Sequence, residues 1–227
     1  MTFLNFQHEP NQKLRAEIVN TALKMNARGI NHNKAGNVSA RIASGFIITP
    51  TGVAYEILTT DQLVAMSHDG VTDDTNNGKN LPSSEWRFHH DIYAARPDVS
   101  AIVHTHSIYA TTLAVLGQTI PAFHYMVAAA GGENIRCAAY ATFGTQALSD
   151  LALVALTGRN ACLLAQHGVI ACGATLDSAL SLAVEVEVLA KMYVEALKTG
   201  LPIPILDASE MAVVIEKFRT YGANAKH

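Results

Sequence analysis

Charged residues are scarce in this sequence. Asp, Glu, Lys and Arg make up 15% of the 227 residues, whereas a typical soluble domain is roughly 25% charged. Residues 99–132 contain none of the four types. The net charge of −3 and the pI of about 6.3, with no cluster of Lys and Arg, argue against a nucleic-acid-binding protein. Disorder is excluded because disordered chains combine low hydrophobicity with high net charge, and here 49% of the residues are hydrophobic.

Long apolar runs and cysteines are scarce too. A membrane span needs ~20 consecutive apolar residues, and the uncharged stretch is interrupted by three histidines, so no membrane association is expected. The N-terminal residues show no apolar core after a basic start, so we predict no signal peptide. The three cysteines form no CxxC pair, and small buried thiols in a cytoplasmic protein fit best.

The hydrophobic pattern alternates between strands and helices. Helices are expected at 12–28, 83–95, 107–116, 146–156, 176–199 and 209–221. Strands are expected as a hairpin at 37–48 and at 63–67, 101–105 and 161–172, the last broken near His167. Ser83 or Ser84 should cap the second helix, with Glu85 in its first turn. Residues 69–79 and 127–132 read as loops. One α/β domain over residues 1–227 follows, with helices on both sides of a sheet that the hairpin makes mixed or antiparallel.

Two histidines follow a buried apolar strand, in Ala-Ile-Val-His104-Thr105-His106. Residues i and i+2 of an extended segment point to the same side, so both imidazoles can converge on one point, as two metal ligands must. Two polar residues at a strand end are the alternative. Burying two unpartnered imidazoles beside small apolar residues would be costly, however, which favours a ligand pair.

Further candidate ligands lie elsewhere in the chain. His167 stands at the edge of another buried strand, beside Gly168, and Glu85 lies at a helix start. Three histidines and one carboxylate are a plausible ligand set for Zn²⁺. A labile carboxylate could also serve as a base. Spacing alone does not establish that these segments meet.

Small-residue turns form a second group of candidates. They offer backbone N–H groups and hydroxyls that can hold a phosphate with almost no positive charge. Ordinary turns and a helix cap are the alternative for each of them. The candidate residues are Gly36, Asn37, Thr51, Gly52, Ser83 and Ser84.

Eight ordered segments resemble the class II aldolase/adducin family over nearly the whole chain. They are AGNVS (35–39), ITPTG (48–52), LPSSEWRFH (81–89), HTH (104–106), HYMVAAAGG (124–132), YATFGT (140–145), HG (167–168) and FRTYG (218–222). The resemblance implies a single three-layer α/β/α domain with a central mixed, largely antiparallel sheet. It also implies a homotetramer with active sites between subunits.

The implied activity is zinc-dependent, reversible cleavage of a ketose 1-phosphate of the L-fuculose type. The products would be dihydroxyacetone phosphate and a small aldehyde such as lactaldehyde. The resemblance assigns the metal to Glu85, His104, His106 and His167, and the phosphate to the six turn residues above. Glu85 would also move protons at the substrate carbon. Tyr125 would protonate the aldehyde oxygen from a neighbouring subunit, and Phe143 and Tyr221 would line the aldehyde pocket.

The sequence leaves several alternatives open. Lys34 stands where a family enzyme has Thr, and it either pairs with the phosphate or faces solvent at the rim, the second being favoured. The resemblance constrains the phosphate half of the substrate more than the aldehyde half. A 5-deoxy- or 5-methylthio-pentulose 1-phosphate is therefore an alternative substrate. Sugar-phosphate 4-epimerases and non-catalytic adducin heads share the family, although the heads lack the zinc ligands that are all present here.

Overall fold

Seven strands form one sheet in the computed structural model, which describes residues 11–72 and 80–220. The strands are β1 (Asn37–Ile42), β2 (Gly45–Ile48), β3 (Val64–Ser67), β4 (Ala101–Thr105), β5 (Cys137–Ala138), β6 (Ala161–Leu164) and β7 (Gly168–Gly173). Their order is β3-β2-β1-β4-β7-β6-β5. Only β5 and β6 pair in parallel among these strands, and the other neighbours are antiparallel. The prediction of a mixed, largely antiparallel sheet is confirmed.

Helices cover both faces of this sheet. They are α1 (Gln12–Ala27), α2 (Trp86–Ala95), α3 (Ile108–Val115), α4 (Gln146–Leu156), α5 (Leu176–Lys198) and α6 (Ala208–Thr220). The apolar side chains of α2 and α4 form one core layer with one face of the sheet. Those of α1, α3 and α5 pack against the other face, and apolar side chains of α6 join the cluster formed by α3 and α5. None of the helices in the two described ranges combines the length and apolarity that a membrane span requires.

The central strand β4 explains how the sheet reaches the predicted ligands. All five of its residues are buried, because helices cover both faces. Ile102 packs toward α2 and α4, whereas Ala101 and Val103 pack toward α1 and α5. Alternation along the strand therefore places His104 on the same face as Ile102. The ring of His104 accordingly lies edge-on to Phe88 of α2, with 5.4 Å between ring centroids.

The start of α2 differs from the prediction. The helix begins at Trp86, Glu85 occupies the position before it, and no side chain caps the helix. The Ser83 hydroxyl instead accepts a hydrogen bond from the Asn37 amide (3.0 Å), while the Ser83 carbonyl accepts from the Trp86 N–H (3.1 Å). The predicted serine cap, and the place of Glu85 in the first turn, are therefore wrong.

The two predicted loops have different outcomes. Residues 125–130, part of which was expected to be irregular, form the short 3₁₀ helix Tyr125–Ala130, and the His124 ring accepts a hydrogen bond from the Met126 N–H. Residues 73–79 of the expected exposed loop lie outside the described ranges, as does Tyr221.

Candidate active site

Four predicted ligands converge at one edge of the sheet. Glu85 immediately precedes α2, His104 belongs to β4, His106 follows β4 and His167 immediately precedes β7. One ligand atom from each side chain lies within 4.8 Å of all the others. The three imidazole rings are mutually edge-on, with centroids 4.9–5.0 Å apart. His104 and His106 thus point to one place, as their i, i+2 spacing predicts.

Hydrogen bonding fixes which ring nitrogen of His104 faces the cluster. Its Nδ1 lies 2.8 Å from the carbonyl oxygen of Val169 in β7. A carbonyl only accepts, so Nδ1 carries the hydrogen, and in the neutral ring the lone pair is on Nε2. This Nε2 lies 3.0 Å from His106 Nε2 and 3.1 Å from Glu85 Oε2. A backbone carbonyl behind a ligand histidine is a common arrangement in metal sites.

The charge states of the cluster suit a divalent cation. Burial favours the neutral acid form of Glu85, but His104 and His167 outweigh burial and hold the pKa of Glu85 below its usual range. Burial, and then the neighbouring His104 and His167, lower the pKa of His106 to about 3, so this ring is neutral at physiological pH. Neutral imidazoles and an ionised carboxylate are the forms that bind metals.

An unsatisfied oxygen marks the same point. Glu85 Oε1 is buried and accepts no hydrogen bond from the part of the chain that the structure describes, although His167 Nε2 lies 2.9 Å away. A buried charged oxygen without a partner is costly unless a cation or water binds it. Three imidazole nitrogens and one carboxylate oxygen match the ligand preferences of Zn²⁺. The residues present therefore fit a metal ion.

Gly168 allows the two ligand-bearing strands to approach each other. A Cβ at this position would lie 2.4 Å from the Thr105 carbonyl oxygen and 3.0 Å from His106 Cδ2. It would also lie 3.2 Å from His104 Cε1. The absence of a side chain at residue 168 is thus part of what brings these histidines together.

A chamber of about 330 Å³ opens beside the cluster. Its wall includes Glu85, His106 and His167 together with all six predicted phosphate-binding residues, namely Gly36, Asn37, Thr51, Gly52, Ser83 and Ser84. Backbone hydrogen bonds tie two of these turns together, from the Thr51 N–H to the Leu81 carbonyl and from the Ser83 N–H to the Thr49 carbonyl, each 3.0 Å long. A volume of this size is typical of small-molecule sites.

The Gly36 turn is held against the metal cluster. Gly36 has a φ of 68°, and a Cβ there would lie 2.4 Å from the carbonyl oxygen of His104. From behind, the buried Tyr55 hydroxyl donates a hydrogen bond to the Gly36 carbonyl (2.8 Å). Both the conformation and the close contact therefore require glycine at this position.

The remaining predicted residues fall in different places. Phe143 lines the chamber and is 63% exposed. Tyr125 is 52% exposed and is not among the residues lining the chamber; its ring lies against His124 and Phe218 instead. Lys34 is exposed and lines the chamber, which matches the predicted placement at the rim.

Several residues around the site escaped the sequence reasoning. Tyr140 and Gln166 line the chamber, and Gln166 has an unusual φ of 57°. His89 is fully buried beside Asn37, which itself bonds to Glu85. The spacing of four residues between Glu85 and His89 was the available signal, because it places both on one side of a helix.

Comparison with known proteins places this site in a family. The family profile described as "Class II Aldolase and Adducin N-terminal domain" matches residues 16–194. The chain belongs to the class II aldolase and adducin family. It is 51% identical over 210 residues to an L-fuculose phosphate aldolase of Escherichia coli O6:H1, which covers 92% of this chain and 96% of that protein.

Two further members of the class II aldolase and adducin family are similar. A 5-methylthioribulose-1-phosphate/5-deoxyribulose-1-phosphate aldolase of Rhodospirillum rubrum is 52% identical over 213 residues, covering 94% of each chain. A solved structure of an L-fuculose 1-phosphate aldolase superposes with a TM-score of 0.88 at 36% identity, covering 94% of this chain and 99% of the other.

Proposed function

We propose that this protein is a metal-dependent aldolase that reversibly cleaves a ketose 1-phosphate to dihydroxyacetone phosphate and a small aldehyde. The observation that carries the proposal is the convergence of Glu85, His104, His106 and His167 beside a chamber lined by small-residue turns. Family membership and the aldolase names of relatives about 50% identical support it. L-Fuculose 1-phosphate, which yields lactaldehyde, is the proposed substrate.

The proposed cofactor is one Zn²⁺ per subunit, held by the four converging side chains. When bound, it supplies Lewis-acid polarisation of the substrate carbonyl and stabilises the negative charge that develops on the dihydroxyacetone phosphate half. The nitrogen-rich ligand set supports zinc, although the same ligands accept other divalent transition metals.

The phosphate group is proposed to bind the turns around Gly36, Thr51 and Ser83. Their hydroxyls and backbone N–H groups supply hydrogen bonds, and the glycines allow close approach. Among the described residues that line this chamber, Lys34 is the one lysine or arginine. Hydrogen bonds rather than charge would therefore provide most of the phosphate affinity.

Two titratable side chains are proposed to move protons. In the condensation direction, the Glu85 carboxylate removes a proton from C3 of dihydroxyacetone phosphate. The C3 electron pair then attacks the aldehyde carbon and forms the C3–C4 bond. The Tyr125 hydroxyl gives its proton to the aldehyde oxygen, which becomes the C4 hydroxyl. Cleavage runs through the same transfers in reverse.

A second copy of the chain is proposed to complete each site, in a homotetramer. Tyr125 supports this, because it is half exposed and does not line the chamber of its own chain. The exposed Phe143 at the chamber and Tyr221 are proposed to contact the aldehyde.

A substrate panel tests the proposal. The metal-loaded protein is mixed with L-fuculose 1-phosphate, 5-deoxyribulose 1-phosphate or 5-methylthioribulose 1-phosphate, and dihydroxyacetone phosphate is measured with a coupled reductase. We expect release from at least one substrate, with the highest kcat/KM for L-fuculose 1-phosphate. The similarity to the R. rubrum enzyme makes the two pentulose phosphates the second candidates.

The same assay separates the other family activities. An epimer formed without dihydroxyacetone phosphate would show a sugar-phosphate 4-epimerase. No turnover of any substrate by protein containing one metal per chain would favour a binding module.

A further inference from the structure

A row of buried polar side chains leads from Glu85 into the core. Glu85 Oε2 lies 3.1 Å from Asn37 Nδ2, and Asn37 Oδ1 bonds to His89 Nε2. His89 Nδ1 lies 2.7 Å from Ser39 Oγ, which lies 2.7 Å from the Tyr93 hydroxyl. All five side chains belong to residues that are at most 7% exposed. Water therefore cannot substitute easily for any of these partners.

The elements of the fold hold this row rigidly. Glu85, His89 and Tyr93 are spaced four residues apart at and along α2, and so share one side of the helix. Asn37 and Ser39 alternate along β1 and so share one face of the strand. This side of α2 therefore lies directly against this face of β1. Each hydrogen bond of the row joins a residue on the helix side to a residue on the strand.

The direction of every hydrogen bond in the row follows from its ends. The Asn37 amide nitrogen donates to Glu85 Oε2 and to Ser83 Oγ, so its oxygen must face His89. That oxygen only accepts, so His89 Nε2 carries a hydrogen. Burial lowers the pKa of His89 to about 3, which keeps the ring neutral and leaves Nδ1 as an acceptor.

The donors at the far end of the row, Ser39 and Tyr93, follow from the protonation of His89. Ser39 must donate its hydroxyl hydrogen to His89 Nδ1, and Tyr93 must donate to the Ser39 oxygen. Every donor in the row therefore points toward Glu85. If the His89 donor were absent, the Asn37 amide could rotate by half a turn and present its oxygen to the Glu85 carboxylate, which would repel it.

We propose that His89 is a positioning residue for the aldol reaction: its Nε2–H fixes the orientation of the Asn37 amide, which in turn holds the Glu85 carboxylate in place. Neither His89 nor the row behind it touches the substrate chamber. This inference rests on the proposed role of Glu85 as the group that moves the C3 proton.

Two substitutions of His89 separate positioning from packing. His89→Met fills the space without a donor, whereas the side-chain amide of His89→Gln can place an N–H where Nε2–H stands. We expect His89→Met to lower kcat about 10- to 100-fold, as for other residues that orient a metal-site ligand. KM should change less than about threefold, because only the Asn37 amide rotates and the other five residues of the phosphate wall keep their places. His89→Gln should recover most of kcat.

Stability and metal content are the controls. Ile92→Val, a buried neighbour on α2 outside the row, should lower the unfolding temperature while leaving kcat unchanged. With metal supplied in excess, metal per chain should be the same in the wild type, His89→Met, His89→Gln and Ile92→Val, because the three histidine ligands do not depend on Asn37 and only Glu85 does. Wild-type kcat in His89→Met, or equal loss in His89→Met and His89→Gln, would overturn the inference. If Glu85→Gln keeps wild-type kcat, the proposed role of Glu85 fails instead.

Nitrogen NMR of the imidazole rings gives a readout that does not depend on activity. In protein labelled with ¹⁵N-histidine, the signal missing from His89→Gln identifies His89. We expect the shifts of a neutral ring protonated at Nε2. A ring protonated at Nδ1 would overturn the proposed direction of the row, whatever the activity of the variants.

Discussion

Replacing Gly168 by alanine should separate the two strands that carry the ligand histidines. The new Cβ would lie 2.4 Å from the Thr105 carbonyl oxygen, whereas real Cβ contacts are essentially never under 3.0 Å. The neighbouring strands must therefore move apart by about 0.6 Å, the difference between these two distances. Inserting a methyl group into a well-packed region typically costs about 1–3 kcal/mol. We expect urea unfolding of the metal-free variant to show a loss in that range.

The same substitution should weaken metal binding. His106 Cδ2 and His104 Cε1 would lie 3.0 and 3.2 Å from the new methyl, so both rings must give way. Misplaced ligands commonly cost 10- to 100-fold in metal affinity, measurable by competition with a chromogenic chelator. Gly158→Ala is the control: its φ is 65° and a Cβ there meets nothing within 4 Å, so stability should fall while metal affinity stays unchanged. Wild-type stability and metal affinity in Gly168→Ala would refute the packing argument.

Three further predictions concern charge and proton transfer. Lys34→Met should raise KM for the phosphorylated substrate at low salt by up to about fivefold, because one exposed ion pair contributes at most about 1 kcal/mol. An unchanged KM would place Lys34 outside phosphate binding. Tyr125→Phe should retain metal but lower kcat by about 10²-fold or more, as loss of a general acid does; unchanged turnover would refute its role. The stability of the metal-free protein should fall as pH drops below about 6.5. An unfolded histidine takes up a proton below about pH 6.5. Folded His89 has a pKa lowered to about 3, so it stays neutral until the pH falls to about 3. The loss from His89 is about 2 kcal/mol at pH 5, and His89→Gln should remove that part of the pH dependence of the urea midpoint while leaving the part due to His106.

Local patterns predicted most of the fold. The hairpin of β1 and β2 follows from apolar strands around a short turn. The long run of apolar residues at helical spacing in α5 predicts both ends of that helix to within one residue. The two-residue strand β5 was missed because it has too few residues to show a pattern. Its existence depends on pairing with β6, which only the folded chain provides.

The candidate site likewise contains residues that local patterns could place and residues that only tertiary contacts place. Neighbours in sequence, such as His104 and His106, could be placed together from strand geometry alone. The start of α2 could not, because Ser83 is drawn into a bond with Asn37, 46 residues away. The proposed role of His89 likewise depends on β1 lying against α2, a tertiary contact that the four-residue spacing from Glu85 does not reveal.

Metal analysis coupled to turnover tests the central claim most directly. Purified wild-type protein, and His104→Ala with one ligand removed, would be assayed for transition metal per chain and for dihydroxyacetone phosphate release from L-fuculose 1-phosphate. The account predicts one metal per wild-type chain, and loss of metal and release together in His104→Ala. Full release by wild-type protein stripped of metal, or by metal-free His104→Ala, would contradict it.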